Sequence, residues 1–448
     1  MRYPSESPIC IVGGGAGGLS AAFYLRSAGY TNVTVLEKAD HLGGKCHSPV
    51  VDGVAYDMGA LEVTQSYVHV LPLIEKYRLE MTDIGGILLL DYANGDLHHG
   101  SYLTKGLSFF QDVGMLKDIA KYFLELAETD DTLKGAGFPK LPPELAKPFS
   151  TWLADKDMAT MAQVFSLPVT CYGYGPLDQV PAAYVLKYLD KTDYTMLIVD
   201  YAKDLFGKVG AWPKRLLTGY QSLMRHMADD MTGTGTTRVL TGAHISSIRR
   251  NQPGSHPIKV EYRHGGVAHQ EDFDHLILAS LLTEEALAFV DLTGPESSMF
   301  SQVKVCNYYT SLCEIPGLEV GTYAMVVKDG AVVPPPAGTP CMIIKSWENT
   351  DLVVVYTYSA EALSIAEVEA RVRAGMAAMK LDLRGIRETL MWPYFPHVEE
   401  AGLAAGFYDT LTGMMGQNAT WYAGGLMNFE DVEKCFEWSY DLVEKHFA

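Results

Sequence analysis

The segment Ile9–Gly18 reads ICIVGGGAGG and is the strongest indication of the fold in this chain. Its first four residues predict a short buried strand, and Gly13, Gly15 and Gly18 then stand at the G-x-G-x-x-G spacing before an apolar helical segment. In such a turn the glycines allow a tight bend, close approach of the backbone to a pyrophosphate, and close packing of helix on strand. Glu37 ends the next apolar run, where a carboxylate can accept hydrogen bonds from an adenosine ribose. A glycine-rich surface turn is the alternative, but the full strand–helix–strand–acid order favours a dinucleotide-binding unit.

A second glycine turn indicates which dinucleotide the chain binds. Gly43-Gly44-Lys45 follows Glu37, and Asp57-x-Gly59 follows in turn. This order resembles the amine-oxidase-like FAD superfamily, in which the Gly-Gly-basic turn runs along the diphosphate and ribityl chain. The resemblance implies FAD rather than NAD, with Lys45 neutralising phosphate charge; a solvated loop is the alternative.

The resemblance also implies that the Ala-Gly turn after Trp421-Tyr422, near the C-terminus, contacts the flavin. It further implies that Val239 lies against the adenine. The family often has Glu or Asp at the position of Gly425, so this chain lacks one expected ribityl contact. We expect the FAD to be bound non-covalently. The residues assigned to the cofactor are Gly13, Gly15, Ala16, Gly17, Gly18, Glu37, Lys38, Gly43, Gly44, Lys45, Met58, Gly59, Ala60, Val239, Gly424, Gly425 and Met427.

Four further segments resemble one group within this superfamily. Gly44–Pro49, Tyr172–Gly175, Val180–Asp190 and Tyr394–Val398 are similar to the FAD-containing, linoleate isomerase-like polyunsaturated fatty acid double-bond isomerases. The similarity covers most of the chain and is patchy around 100–165 and 286–390. It implies a long apolar polyunsaturated substrate, a fatty acid or related polyene. The flavin N5 would take a hydride from an allylic carbon and return it at another carbon.

Such a reaction needs an apolar, aromatic pocket rather than a catalytic triad or a metal. Aromatic side chains that line the pocket would exclude water, and their ring faces would stabilise a delocalised cation. The candidate pocket residues are Leu88, Tyr172, Tyr174, Tyr184, Tyr188, Phe395, Met427 and Phe429, with Tyr394 beside them. No residue is predicted as a certain catalytic group, and no metal site is expected. Core packing is the alternative for each aromatic residue, above all for Tyr184 and Tyr188, which share a helix face.

The segment Gly85–Leu90 departs from the isomerases, which carry arginines there suited to a fatty acid carboxylate. An unpartnered buried carboxylate is costly. Either another base binds it, with Lys187, Lys203 and Arg215 as candidates, or the substrate is an ester, a neutral polyene or a terpenoid. The apolar run predicts that this segment lines the channel and selects a less anionic ligand than a free fatty acid.

Length and composition agree with a large enzyme whose domains are interleaved. The 448 residues are 48% hydrophobic, which is enough for a Rossmann-type FAD-binding domain of α/β class, amine-oxidase-like, interleaved with a mixed α+β substrate domain. We assign 1–75, 205–285 and 391–448 to the FAD-binding domain, and 76–204 and 286–390 to the substrate-binding, partly helical region. The strand predictions behind this division include 238–241 and 245–248 in the nucleotide domain, 342–344 and 352–356 in the substrate region, and a helix over 365–379.

Charge and cysteine content limit the partners. The net charge of −19, from 35 basic and 54 acidic residues, argues against nucleic acid and against an anionic membrane surface. The seven cysteines form no C-x-x-C pair, which is typical of reduced thiols in the cytoplasm, and no apolar run has transmembrane length. Two alternatives to the isomerase stay open: an FAD-dependent oxidase or desaturase of an apolar or amine substrate, and a non-catalytic lipid carrier on a flavoprotein fold.

Overall fold

The computed structural model describes residues 2–98, 113–190, 213–329 and 331–448. Its strands are β1 (Ile9–Val12), β2 (Val33–Leu36), β3 (Val50–Val51), β4 (Val54–Ala55), β5 (Met81–Asp83), β6 (Gly86–Asp91), β7 (Leu97–His98), β8 (Lys214–Leu216), β9 (Thr237–Leu240), β10 (His244–Arg249), β11 (Ile258–His264), β12 (Val267–Phe273), β13 (His275–Leu278), β14 (Val303–Glu314), β15 (Gly321–Lys328), β16 (Ala331–Val332), β17 (Pro340–Lys345), β18 (Leu352–Ser359), β19 (Gly385–Val398) and β20 (Thr420–Tyr422).

The α-helices of these ranges lie between and after the strands. They are α1 (Ala16–Ser27), α2 (Leu71–Lys76), α3 (Val113–Leu133), α4 (Pro143–Ala146), α5 (Phe149–Asp155), α6 (Ala162–Phe165), α7 (Ala182–Tyr188), α8 (Tyr220–Thr232), α9 (Gly294–Phe300), α10 (Ile365–Ala378), α11 (Glu400–Ala404), α12 (Phe407–Gly413) and α13 (Val432–His446). A π-helical turn, Ser166–Cys171, follows α6. No helix in the described ranges combines the length and the apolar character that a membrane crossing requires.

A parallel sheet forms the centre of the nucleotide domain and confirms the predicted α/β fold class. Among the described residues it has five strands in the order β20-β13-β1-β2-β9. The registers of β1 against β2 and β13 bring the carboxyl ends of these strands to one edge. The side chains of β1, β2 and β13 are all buried, as expected for a parallel sheet covered on both faces. The glycine turn after β1 therefore opens at the edge where such folds bind ligands.

A larger mixed sheet lies mainly in the region that the sequence predicts to bind substrate. Within the described ranges, β19-β14-β18-β17-β15-β6-β7 follow in this order, and β16 pairs with β15. Its two faces join different cores: Leu89 belongs to the main core, whereas Leu90 belongs to a second cluster with Val368 and Val372 of α10. Leu88 packs against this second cluster, on the face away from the main core. Its role as a pocket residue stays a prediction that this placement does not favour.

Two features of the sheets refine the predicted domain division. The strand expected at 245–248 is β10, and it pairs with β11 in a three-stranded antiparallel sheet rather than in the parallel sheet. The long β19 runs through the predicted boundary at residue 391 and pairs with β14 along its length. We therefore propose that the chain returns to the FAD-binding domain after residue 398.

The C-terminal helix is joined to α2 through a buried carboxylate. Glu433, in the first turn of α13, accepts hydrogen bonds from the backbone N–H groups of His69 at 2.8 Å and Val70 at 3.0 Å. The residue is 4% exposed, and this burial raises its pKa from the ordinary 4.5 to about 8, although the two N–H donors oppose the shift. Between about pH 4.5 and 8, Glu433 is therefore protonated in the folded chain and ionised in the unfolded chain.

This proton makes stability depend on pH. A pKa that is raised on folding contributes stability that is complete below about pH 4.5 and is lost as the pH rises through about 8. Glu433→Gln should therefore flatten the fall of the unfolding free energy over this range, removing a slope of up to about 1.4 kcal/mol per pH unit. Urea unfolding at several pH values measures this, with Glu444→Gln, exposed on the same helix, as the control. Parallel profiles for Glu433→Gln and the wild type would contradict the assignment.

Candidate active site

The first glycine turn lies between β1 and α1. Gly13 has φ +108°, and a Cβ there would lie 2.8 Å from the carbonyl oxygen of Ala279. A Cβ on Gly18 would overlap with the carbonyl oxygen of Gly13. By contrast, a Cβ on Gly15 would meet only ordinary contacts, the nearest being Gly44 Cα at 3.7 Å. Gly13 and Gly18 are therefore required by the fold, whereas no close contact requires glycine at Gly15, which stands at the N-terminus of α1, where a pyrophosphate can approach.

The acidic residue at the end of β2 is oriented by the same turn. The Glu37 carboxylate accepts hydrogen bonds from the N–H of Gly14 at 2.6 Å and of Ala39 at 2.7 Å. Each oxygen keeps a lone pair for a further donor. Its predicted contact with an adenosine ribose stays a prediction, as do contacts of Lys38, which is exposed, and of Val239, which is half-buried in β9.

The second glycine turn lies directly against the first. The N–H of Gly43 donates to the carbonyl of Gly14 at 2.9 Å, and a Cβ on Gly44 would lie 3.2 Å from Gly15 Cα. The segment around Gly59 pairs with this turn, because the N–H of Ala60 donates to the carbonyl of Lys45 at 2.9 Å. A Cβ on Gly59 would overlap with that carbonyl oxygen, so Gly59 must be glycine.

The Asp57 carboxylate fixes this pairing to α8. It accepts hydrogen bonds from the Ser48 hydroxyl at 2.5 Å and from the backbone N–H of Tyr220, at the start of α8, at 2.7 Å. Burial raises the pKa of Asp57 to about 6. Asp57 thus holds the neighbouring Met58–Ala60 segment against the start of α8.

A third turn, at the C-terminus, closes the arrangement. Gly424 has φ +100°, and a Cβ on Gly17 would lie 2.8 Å from Gly424 Cα. The following residue, Gly425, lies next to the side chain of Glu430. Lys45, predicted to face phosphate, forms an ion pair with Glu430, with Nζ 2.8 Å from Oε1. The three turns, far apart in sequence, therefore meet in one place.

Aromatic rings adjoin the third turn. Five of them form what we call the aromatic cluster: Tyr174, Tyr188, Tyr394, Phe395 and Phe429. The ring centroid of Tyr174 lies 4.8–5.3 Å from those of the other four, and Tyr188 stacks on Phe429 at 5.1 Å. The Tyr174 hydroxyl donates to the carbonyl oxygen of Glu430 at 3.2 Å, which ties the cluster to the glycine turn. Tyr188 and Tyr394 are half-buried, and the other three are buried.

The remaining predicted pocket residues lie in different settings. Met427 is buried, and its backbone N–H donates a hydrogen bond to the carbonyl oxygen of Gly424. Tyr172 is half-buried and donates to Glu62 Oε1 at 2.5 Å. Tyr184 is buried, and its hydroxyl bonds that of Tyr408 and accepts the N–H of Val398, a pattern typical of core packing. Direct contact of any of these with substrate stays a prediction.

The three basic candidates also differ. Lys187 donates to the carbonyl oxygens of Leu133, Gly135 and Gly137, and so satisfies the end of α3. Burial lowers its pKa to about 7. Arg215 is 4% exposed, stacks on the Trp347 ring at 4.0 Å and donates to the carbonyl of Ser346 at 2.6 Å. The Arg215 Nε is buried, and no described residue accepts its hydrogen. Lys203 lies outside the described residues.

Sequence reasoning missed four residues that shape the site. The carbonyl of Met58 accepts hydrogen bonds from Thr310 Oγ1 and Trp392 Nε1, both at 2.9 Å. Ser280, directly after β13, has a buried hydroxyl that no described residue bonds. Glu430 is the fourth. Position after a buried strand could have indicated Ser280, whereas Glu430 and Thr310 carry no local signal.

The turns fit a dinucleotide with a flavin. Gly15 and Gly44 leave a cradle free of side chains, and the N-terminus of α1 faces it. The backbone of Ser280, whose buried hydroxyl no described residue bonds, lies beside Gly13. Among the described residues, no group of three or more His, Cys, Asp or Glu side chains could hold a metal ion. The fold and site define an FAD-dependent flavoprotein.

Comparison with known proteins gives the family. Residues 16–284, more than half of the chain, match the family described as flavin containing amine oxidoreductase, and the chain belongs to this family. The predicted cofactor, FAD, is thereby confirmed. The protein is similar over its whole length to the structure of a CLA-producing fatty acid isomerase from P. acnes, with a TM-score of 0.85, 25% identity and 100% of both chains covered.

Two curated proteins extend the comparison. An FAD-dependent oxidoreductase, dpasF of Apiospora sacchari, is 25% identical over 94% of this chain and 88% of its own length. A polyenoic fatty acid isomerase of Ptilota filicina is 24% identical over 63% of this chain and 58% of its own length. The predicted resemblance to linoleate isomerase-like enzymes of the amine oxidase superfamily is therefore confirmed, and the protein is an FAD-dependent enzyme.

The different surroundings of two glycines predict separable effects. Gly15→Val should give a folded apoprotein that no longer binds FAD, because the side chain enters the open cradle. Gly18→Ala should instead destabilise the apoprotein itself, because its Cβ overlaps with the backbone of Gly13. Flavin absorbance and the Tm of the deflavinated protein measure the two effects. FAD binding by Gly15→Val, or an unchanged Tm for Gly18→Ala, would contradict this division.

Proposed function

We propose that this protein is an FAD-dependent double-bond isomerase of a long, apolar, polyunsaturated substrate. The similarity to a CLA-producing fatty acid isomerase over the whole chain carries the proposal. The second isomerase, the polyenoic fatty acid isomerase of Ptilota filicina, supports it over a shorter range. Membership in an oxidoreductase family favours an enzyme over a lipid carrier.

The described residues supply surroundings that suit this chemistry. Bound FAD provides reversible hydride transfer, which moves a double bond without net oxidation when the hydride returns to the same molecule. The aromatic cluster would exclude water from the reacting carbons, and its ring faces would stabilise positive charge along the polyene. The half-buried Tyr188 and Tyr394 are the members that a ligand could reach first.

Tyr174 and Tyr394 of the cluster stay neutral phenols. Burial raises the pKa of Tyr174 and of Tyr394 well above the usual range. Tyr394 donates its hydroxyl hydrogen to the Tyr174 oxygen at 3.1 Å, and Tyr174 donates to the carbonyl of Glu430. Because both hydrogens are directed along this chain, the ring faces rather than the hydroxyl groups are available to an apolar substrate.

Net oxidation is the second candidate function. It is favoured by the similarity to the FAD-dependent oxidoreductase dpasF over 94% of this chain. The same hydride removal would then be followed by reoxidation of the cofactor by oxygen or another acceptor. The two functions differ in whether the product has the mass of the substrate.

Turnover without an acceptor distinguishes them. Anaerobic incubation with a C18 fatty acid that has methylene-interrupted double bonds should give a conjugated product of unchanged mass. Deuterium placed at the methylene carbon should reappear on another carbon of the same molecule. Ultraviolet absorbance of the conjugated product and mass spectrometry measure both. Product that forms only with oxygen, in proportion to peroxide, would contradict isomerisation and support the oxidase.

The substrate head group forms a further part of the proposal. Of the basic candidates in the described ranges, Lys187 is satisfied by three carbonyl groups, whereas Arg215 keeps a buried, unpartnered Nε–H. A buried guanidinium with unused donors favours an anionic acceptor such as a carboxylate. We therefore infer that Arg215 binds the carboxylate of a free acid, in place of the neutral head group that Gly85–Leu90 suggested.

Head-group recognition by Arg215 predicts a selective defect. Arg215→Gln should raise the KM for the free acid about tenfold or more, since a hydrogen bond to a charged group contributes roughly 1.5–3 kcal/mol. The methyl ester should be affected little. Arg249→Gln, an exposed arginine on β10, is the control, and Tm values exclude unfolding. An equal loss for acid and ester, or no loss in a stable variant, would contradict the assignment.

A further inference from the structure

The side chain of Glu430 occupies the room that Gly425 leaves. A Cβ on Gly425 would lie 2.9 Å from Glu430 Cδ and closer still to Oε2. Gly424 has a positive φ and Gly425 does not, so the φ of Gly425 permits a side chain, although its Cβ would lie 3.1 Å from Glu430 Cα. The space beside the third turn is therefore filled by a carboxylate that comes from five positions further along the chain.

An ion pair holds this carboxylate in place. Oε1 lies 2.8 Å from Lys45 Nζ, and the Glu430 side chain is 13% exposed. Among the described residues, none donates a hydrogen bond to Oε2, the oxygen that faces Gly425. The pair therefore anchors one oxygen on the second glycine turn and leaves the other available to a hydroxyl donor over the third turn.

The backbone of Glu430 is fixed as well. Its carbonyl oxygen accepts the Tyr174 hydroxyl at 3.2 Å, so the residue joins the aromatic cluster to both cofactor turns. A carboxylate between these turns is suited to the hydroxyl groups of a sugar alcohol chain, which donate hydrogen bonds to an anion.

We propose that Glu430 accepts hydrogen bonds from the ribityl chain of FAD and thereby replaces the acidic side chain that position 425 lacks. Lys45 positions the carboxylate. The proposal rests on the FAD site and not on the double-bond chemistry, so its test uses binding alone and its failure would leave the proposed reaction untouched.

The test measures FAD affinity after deflavination of the full-length protein. Glu430→Gln should weaken FAD about tenfold or more, as for loss of a hydrogen bond to a charged group. A smaller loss should remain in a Lys45→Met background, since the carboxylate acts directly on the cofactor but is no longer anchored there. Glu444→Gln, exposed on α13, is the control and should bind FAD as the wild type does. Wild-type affinity in Glu430→Gln, or a loss that disappears with Lys45→Met, would overturn the proposal.

Two further arms separate a direct contact from a general disturbance. An FAD analogue that lacks ribityl hydroxyl groups should bind the wild type and Glu430→Gln with equal affinity; a further loss for the variant would overturn the proposal. Gly425→Glu combined with Glu430→Ala returns the carboxylate to position 425 and should bind FAD more tightly than Glu430→Ala alone. Equal affinity of these two variants would also overturn it, and the Tm of each apoprotein identifies unfolding.

Discussion

Close backbone contact between three glycine-rich turns holds the elements of the cofactor site together. Gly17 of the first turn meets Gly424 of the third, and Gly15 lies against Gly43 and Gly44 of the second. A Cβ at Gly17 would lie 2.8 Å from Gly424 Cα, and one at Gly44 would lie 3.2 Å from Gly15 Cα, so a side chain at either position would separate the turns. The parallel sheet, α1 and α13 thus converge on one cradle, whose walls are backbone and whose donors are N–H groups, as a diphosphate requires.

Beyond the cradle, the site changes from backbone to aromatic side chains. Tyr174 joins the two parts, because its ring is central to the aromatic cluster and its hydroxyl bonds the carbonyl of Glu430. The ion pair of Glu430 with Lys45 places charge at the cofactor side, whereas the cluster presents neutral rings. This separation suits a reaction in which a polar cofactor acts on an apolar chain.

Local signals predicted the glycine turns and part of the strands, because glycine spacing and apolar runs act over a few residues, whereas the long strands β14 and β19 were not predicted. The predicted helix over 365–379 and the strands at 342–344 and 352–356 correspond to α10, β17 and β18. The parallel pairing of β6 with β15 joins residues more than 200 positions apart, and no local pattern indicates it. That pairing decides which face Leu88 takes: the half-buried side chain packs against the cluster that contains Val368 and Val372, and its place in a substrate channel stays a prediction. The contacts of Lys187 and Glu430 could not be predicted from the sequence either, since their partners come from distant segments.

The most direct measurement is a crystal structure of the FAD-loaded protein with a conjugated C18 acid bound under anaerobic conditions. We predict the pyrophosphate in front of Gly15 at the N-terminus of α1, the ribityl chain beside Glu430, and the conjugated carbons between the flavin ring and the aromatic cluster. FAD bound away from the three glycine turns, or a polyene bound away from Tyr174 and its neighbours, would contradict this account.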